Sequence, residues 1–290
     1  MGGRKGDAAV AQDLIRILLA AALGSAVFAI GPFAQSQQPA VSFGGVEQVT
    51  WISPAEPSEH PWTPVMRWAQ QEQAMIDRDV RDYSATIVSR ERLGDKLQEY
   101  ESIFVKVRHR PLSVYLYVLT PDGSKGDEAI YVEGRNAGKL LGHTTGLAGK
   151  LVGTVALDPQ GSTALNGHHH PITELGIRHL CERLLALGSN DVQFAESQVR
   201  YLSGLKLNDR PCSGVEVIHP VIRTNFQYHR LRLFVDEQLK LPVRYEQYSW
   251  PQQPGGPPQL VEEYNFLNVR INNGFTDADF DPRNPRYGFP

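Results

Sequence analysis

Three consecutive histidines, His168, His169 and His170, are the densest run of metal-ligating side chains in this sequence. Zinc takes nitrogen, thiolate or carboxylate ligands at the corners of a tetrahedron, and adjacent residues do not aim three imidazoles at one such point. Two of the three would need help from His143, His179 or a carboxylate brought in by the fold. No HExxH pattern, nor any other histidine and carboxylate spacing of comparable strength, supports that. The run precedes Pro171 and a helical pattern. A solvent-facing turn is the simpler role, and the expectation is no metal and no cofactor.

Acid and base chemistry finds little more. Glu262 and Glu263 are adjacent, and neighbours on a strand point to opposite faces, which argues against direct cooperation as a carboxylate pair. Asp277, Asp279 and Asp281 alternate near the C-terminus, but Pro282 and Asn284 mark a loop and not a defined calcium cage. Ser113, His109 and Asp127 can be selected as hydrolase residues, yet nothing around them marks a nucleophile elbow. Glycine-rich stretches lack both a phosphate-binding loop and the strand–GxGxxG–helix order of a dinucleotide site. The expectation is a protein that is not an enzyme, with an envelope hydrolase of unrecognised site as an alternative. Cys181 and Cys212 are the only cysteines. In an oxidising compartment a disulfide between them is allowed and would contribute about 2–4 kcal/mol. The apolar surroundings of Cys181 also fit two separate structural thiols.

Binding has a better-defined candidate. Arg90 and Arg92 share one side of a strand, as do Lys106 and Arg108 on the next, and Tyr115 and Tyr117 follow. Such a basic rim beside aromatic rings could orient an anionic head group. The plain alternative is a solvated sheet face on which long basic stems cover apolar area. On the opposite face Ile103, Val105 and Val107 would line either a cavity or a filled core.

The elements that must position these residues follow from the pattern. Arg4, Lys5 and Arg16 precede the apolar run Ile17–Ile30, which Gly31 and Pro32 close. That is the order of a signal peptide, and the run falls short of the roughly 20 residues a membrane-spanning helix wants. Residues 1–34 are therefore expected to be a signal peptide or an N-terminal anchor, giving an exported protein of the periplasm or envelope. Residues 35–61 read as a flexible linker. Residues 62–290 form a single domain with room for a sizeable core. A formal charge of −3 gives no electrostatic reason to expect nucleic acid.

Pro64 suits the first turn of a helix from Thr63, with Val65, Trp68, Ala69, Met75 and Ile76 as its apolar stripe. A second helix is expected over Thr173–Leu187, capped by Thr173 and stopped by Gly188. Strand patterns open at Tyr83 and recur at Tyr100–Arg108, Ser113–Leu119, Ala129–Glu133, Lys139–His143, Val192–Leu202, Gly214–Ile218, Tyr228–Val235, Val243–Tyr248 and Val261–Arg270. Gly146–Gly161 fits a strand pair or a mobile flap. Short connections argue for antiparallel pairing. The fold class is α+β, a strongly curved antiparallel sheet or unclosed β-barrel covered by two principal helices.

The runs RERLGDKLQEYESIFVKVRHRPLSVYLYVL, AIYVEGRNAGKLLGH, HHHPITELGIRHLCERLL and NNGFTDADFDPRNPRYGF resemble the bacterial domain-of-unknown-function 1571 family, best known from planctomycetes. The resemblance spans Trp62 to Phe289 and implies no activity. The element order and the closing Asp279–Pro282 run are more distantly similar to periplasmic lipoprotein-carrier (LolA/LolB-like) proteins. That likeness implies an open barrel with helices lying over an apolar cavity. The function expected from it is binding of a lipid, acyl chain or lipidated protein. A cargo-free structural or protein-interaction domain of the envelope is the alternative. Partners would then be a lipid, a lipidated protein or an envelope protein, with the N-terminal segment keeping the chain near a membrane.

Overall fold

The computed structural model describes residues 38–45, 49–53, 56–145, 149, 151–165, 167–194 and 196–290. The expected signal or anchor at 1–34 lies outside the described residues, as do 146–148 and 150 of the glycine-rich stretch. No helix among the described residues is long and apolar enough to cross a membrane.

Among the described residues, thirteen strands form one antiparallel sheet. They are β1 (Val41–Ser42), β2 (Asp82–Leu93), β3 (Lys96–Leu97), β4 (Glu101–Arg108), β5 (Ser113–Thr120), β6 (Glu128–Val132), β7 (Leu140–His143), β8 (Val155–Leu157), β9 (Gln198–Leu207), β10 (Arg210–Ile218), β11 (Arg230–Asp236), β12 (Pro242–Ser249) and β13 (Gln259–Ile271). Their order is β1-β9-β10-β11-β12-β13-β2-β4-β5-β6-β7-β8, with β3 paired to β2, so the sheet is not closed. The long β2–β13 pair joins an N-terminal half to a C-terminal half. Two helices, α1 (Thr63–Asp79) and α2 (Ile177–Asp191), cover the inner face. This is the α+β architecture expected from the pattern.

Strand alternation explains what each face carries. On the inner face, register places Val114, Val107 and Tyr83 in one row, and Val118, Ile103, Ile87 and Phe266 in another. Tyr264, Tyr245, Leu233 and Val215 continue this face across the other half. Val65, Trp68, Ala69 and Ile76 of α1 and Ile177, Leu180, Leu184 and Leu187 of α2 pack onto it. Val105 and Val107 are buried in that filled core.

The second helix departs from expectation at both ends. A 3₁₀ turn at Ile172–Glu174 and Gly176 at φ 140° come first, and the helix starts at Ile177. A side chain at Gly176 would put its Cβ 2.7 Å from the Tyr83 hydroxyl, which instead accepts the Ile177 N–H at 3.1 Å. Gly188 does not stop the helix. It lies inside it because a Cβ there would sit 2.7 Å from Met66 Cγ and 3.3 Å from the Trp62 ring, so its use is close α1–α2 packing. The strand expected from Val192 begins only at Gln198. Of the Gly146–Gly161 stretch, Val155–Leu157 pairs with β7.

The expected linker is in part built into the fold. Val41 and Ser42 pair with β9. Val49 and Ile52 are buried, and Trp51 packs against Trp68 while its indole N–H donates to Ser213 at 2.7 Å. Apolar side chains in a Pro- and Ser-rich setting, too few to show a period, gave no sign of this from sequence.

Glu72 sits on the buried stripe of α1, and one of its carboxylate oxygens has no hydrogen-bond partner. Burial pushes its pKa up to about 7. The folded state therefore holds this proton more tightly than the unfolded chain, and stability falls as pH rises from the ordinary carboxylate range through 7. Glu72→Gln removes the dependence. Urea denaturation is expected to find the variant more stable at pH 8 by on the order of 2 kcal/mol, and equal to the parent at pH 4.5.

Candidate functional site

Glu262 on β13 and Glu91 on β2 lie directly opposite each other on the inner face. Both are buried, at 1% and 6% exposure. Like charges facing each other across strands destabilise a sheet unless cations answer them. Here the answer comes from the segment that leads into α2. His169 Nδ1 and His170 Nε2 lie 2.9 and 3.1 Å from one Glu262 oxygen, and Arg183 of α2 donates to the other at 2.7 Å. Glu91 accepts the His169 backbone N–H at 2.9 Å and the Tyr264 hydroxyl, with His168 Nδ1 3.6 Å away. Arg183 also donates to the Tyr245 hydroxyl and to Gln247, which fixes its head group over the strand pair.

The electrostatics follow from this count of partners. Burial alone would raise Glu262, but His169, His170 and Arg183 outweigh it and hold its pKa at about 2. Glu91 is lowered in the same way, burial being overcome by His168, Tyr264 and the His169 N–H. The nearby Glu91 carboxylate raises the pKa of His168, and the hydrogen bond to Glu262 that of His169. The His-His-His run is thus a cover for a buried carboxylate pair.

Beside this cluster a cleft of about 300 Å³ opens between α1, α2 and the β4–β5 connection. Asp77, His109, Arg110, Glu133, Arg178 and His179 are among its lining residues. Among the described residues, His170, Glu174 and His179 form a group whose ligand atoms lie within 4.8 Å of one another.

The expected basic rim does share one face, the outer one, but its members already have partners within the chain. Arg90 pairs with Glu263 at 3.1 Å and covers the Tyr100 ring. Arg92 donates to the carbonyls of Leu260 and Asp95. Lys106 donates to Asp279 at 2.9 Å and to the Tyr287 hydroxyl at 3.1 Å, and Arg108 to Asp277 at 2.8 Å. Tyr115 stacks on Tyr287 with centroids 4.0 Å apart, and its hydroxyl donates to Glu128. Tyr117 packs into the same outer cluster around Phe280. The C-terminal segment thus covers the Lys106, Arg108, Tyr115 and Tyr117 part of this rim. Its alternating aspartates are counter-ions and cap residues, as Thr276 and Asp279 close a capping box on Asp277–Phe280.

Other sequence candidates stay apart. Cys181 and Cys212 are both buried free thiols, so the bridge between them is absent. Burial raises the pKa of both thiols, that of Cys212 to about 12, which keeps them unreactive. Ser113 donates to the Pro111 carbonyl, His109 Nδ1 lies 2.7 Å from the Val80 carbonyl, and Asp127 accepts the Thr145 N–H. They do not form a catalytic set. Ser197, His219 and Asp191 do meet, unannounced by any motif. Yet Ser197 and Asp191 both contact Nε2, at 3.0 and 3.3 Å, while Nδ1 faces the Tyr228 carbonyl. In a hydrolytic triad the serine and the aspartate hold opposite nitrogens. With His219 fully buried, this is an interior polar anchor.

The family model described as "Protein of unknown function (DUF1571)" matches residues 80–289. The chain belongs to the DUF1571 family. No protein of curated function matches it in sequence. Solved structures similar to this DUF1571 chain include the lipoprotein LppX of Mycobacterium tuberculosis, at 11% identity and a TM-score of 0.41, covering 76% of this chain and 100% of that one. A LolA superfamily protein from Nitrosomonas europaea is similar at 12% identity and 0.33, covering 74% and 97%. An outer membrane lipoprotein-sorting protein domain from Vibrio parahaemolyticus is similar at 14% identity and 0.33, covering 73% and 94%.

Arg183→Met tests the cluster. It removes the cation nearest Glu262 while His169 and His170 remain, so a loss of about 2 kcal/mol is expected in chemical denaturation, below the 3–5 of a wholly stranded buried charge. An unchanged midpoint would show that Arg183 contributes nothing there.

Proposed function

We propose that this DUF1571 protein is a non-enzymatic binding domain of the cell envelope that meets a protein partner at its surface. The observation that supports this reading is the filled space between sheet and helices. Trp62, Tyr83, Tyr228 and Tyr245 have no exposed surface there, and Phe266 and Trp68 almost none. Two clefts among the described residues measure about 300 and 170 Å³ and carry charged residues in their walls. Ligand pockets are mostly apolar concavities of about 300–1,000 Å³. An apolar guest inside this fold would have to displace packed aromatic rings.

The surface offers a contact point of suitable build. Val221 and Ile222, 46% and 68% exposed, sit on the β10–β11 connection. The base of that connection is held by His219 stacked on Phe226 at 3.7 Å and by the Tyr228 hydroxyl donating to Asp191 at 2.6 Å. A loop fixed at its base presents apolar side chains at low entropic cost, which favours association. The envelope location rests on the export-like order of residues 1–34.

The lipid or acyl-chain carrier is a second reading. It is favoured by one observation, that α1 and α2 meet the sheet through an apolar interface while Glu262 and Arg183 form an ionic latch at its rim. Native mass spectrometry of protein purified without detergent separates the two. The expected mass is that of the bare polypeptide, with no saturable binding of a fluorescent fatty acid. Photo-crosslinking in cells is expected to give a protein adduct that Val221→Ser with Ile222→Ser abolishes. A co-purifying lipid, or fatty acid binding that Arg183→Met strengthens, would overturn the proposal in favour of the carrier.

A further inference from the structure

We propose that His170, Glu174 and His179 bind one divalent transition cation of the zinc class beside the start of α2. A tetrahedral ion with ligands at about 2.0–2.1 Å separates its ligand atoms by about 3.4 Å. One oxygen of Glu174 lies 3.4 Å from His170 Nδ1 and 3.4 Å from His179 Nε2. Charge-assisted hydrogen bonds close to about 2.7–2.9 Å, so these separations match a coordination edge better than an ion pair.

The other nitrogen of each ring is the second, independent observation. His170 Nε2 lies 3.1 Å from the buried Glu262 carboxylate, and His179 Nδ1 lies 3.1 Å from Glu182. Metal-ligating histidines turn their second nitrogen to a carboxylate in this way, which fixes the ring and raises its basicity. Both rings thus turn their remaining nitrogen toward one Glu174 oxygen. Two imidazoles and a carboxylate are a donor set suited to zinc and its neighbours, and three protein ligands leave one corner for water.

Backbone conformation brings the three together over only ten residues. The 3₁₀ turn carries Glu174, and the φ of 140° at Gly176 swings the chain so that His179, in the first turn of α2, faces back toward it. His170 and His179 are 18% and 24% exposed, and Glu174 40%, so an ion can reach them.

The test uses the tag-free full chain, stripped with a chelator and titrated with Zn²⁺ by calorimetry and with Co²⁺ by visible absorption. One ion per chain and a tetrahedral Co²⁺ spectrum are expected. His179→Ala and Glu174→Gln, both at the more exposed edge, should each weaken binding at least about tenfold. Glu182→Gln should weaken it by about 10–100-fold and alter the Co²⁺ bands, with its melting point in chelator unchanged. His168→Ala should bind as the parent does. Absence of saturable binding, or binding that survives His179→Ala combined with Glu174→Gln, overturns the site. An unaltered Glu182→Gln variant overturns the positioning role given to that carboxylate.

Discussion

Two glutamates buried face to face across the β2–β13 pair set the terms for this fold. Among the described residues that pair joins the two halves of the sheet, and Glu91 and Glu262 face each other on its inner face. Buried like charges must be neutralised or hydrogen bonded, because desolvation of each carboxylate costs several kcal/mol. The remedy draws on a different part of the chain: His168–His170 from the lead-in to α2 and Arg183 from α2 itself. Sheet pairing and helix placement therefore stand or fall together at this rim.

The outer face meets the same constraint by another route. Register aligns Arg200, Glu216, Arg232, Glu246, Glu263 and Arg90 in a row across β9, β10, β11, β12, β13 and β2. Charges alternate along it except at Glu246 and Glu263, and there Arg244, one step along β12, donates to both at 2.6 and 2.8 Å. Phe43 and Tyr248 lie against Arg232, and Tyr100 against Arg90. Further along, Lys106 and Arg108 find Asp279 and Asp277 of the C-terminal segment. The inner face is thus covered by α1 and α2, and the outer face around Lys106 and Arg108 by the C-terminal segment.

Legibility from sequence divides along the same physical line. The α1 stripe and most strands were readable, since a face buried against apolar neighbours leaves its period in the residues. So was the shared side of Arg90 and Arg92, and of Lys106 and Arg108, because strand parity needs no partner. What occupied that side was not readable, as Asp277, Asp279 and Tyr287 come from a loop without periodicity. The three histidines stood out as chemistry-bearing, but their partners Glu91 and Glu262 lie more than seventy residues away on strands whose register the sequence does not encode locally. Adjacency of Glu262 and Glu263 argued correctly against their acting as a pair. It could not show that each pairs across the sheet, one inward and one outward. The displaced start of α2 has a similar origin: Gly176 is shaped by the Tyr83 hydroxyl, a contact between distant segments.

Glu262 links the structural role of the rim to its chemistry. One of its oxygens, shared by His169 and His170, and the other, taken by Arg183, leave this carboxylate fully engaged and fixed on a central strand. His170 consequently has its ring plane set by the sheet and not by its own loop. His179 is set by α2 through Glu182. Relative placement of the two imidazoles is then decided by how α2 docks on the sheet, the same docking that Arg183 and the Glu91–Glu262 pair enforce. A site held between rigid elements keeps its donor atoms in place without an ion to gather them, which is the condition for selective ligation. Neutralising a buried carboxylate pair and pre-orienting a donor set are, at this rim, one arrangement of the same residues.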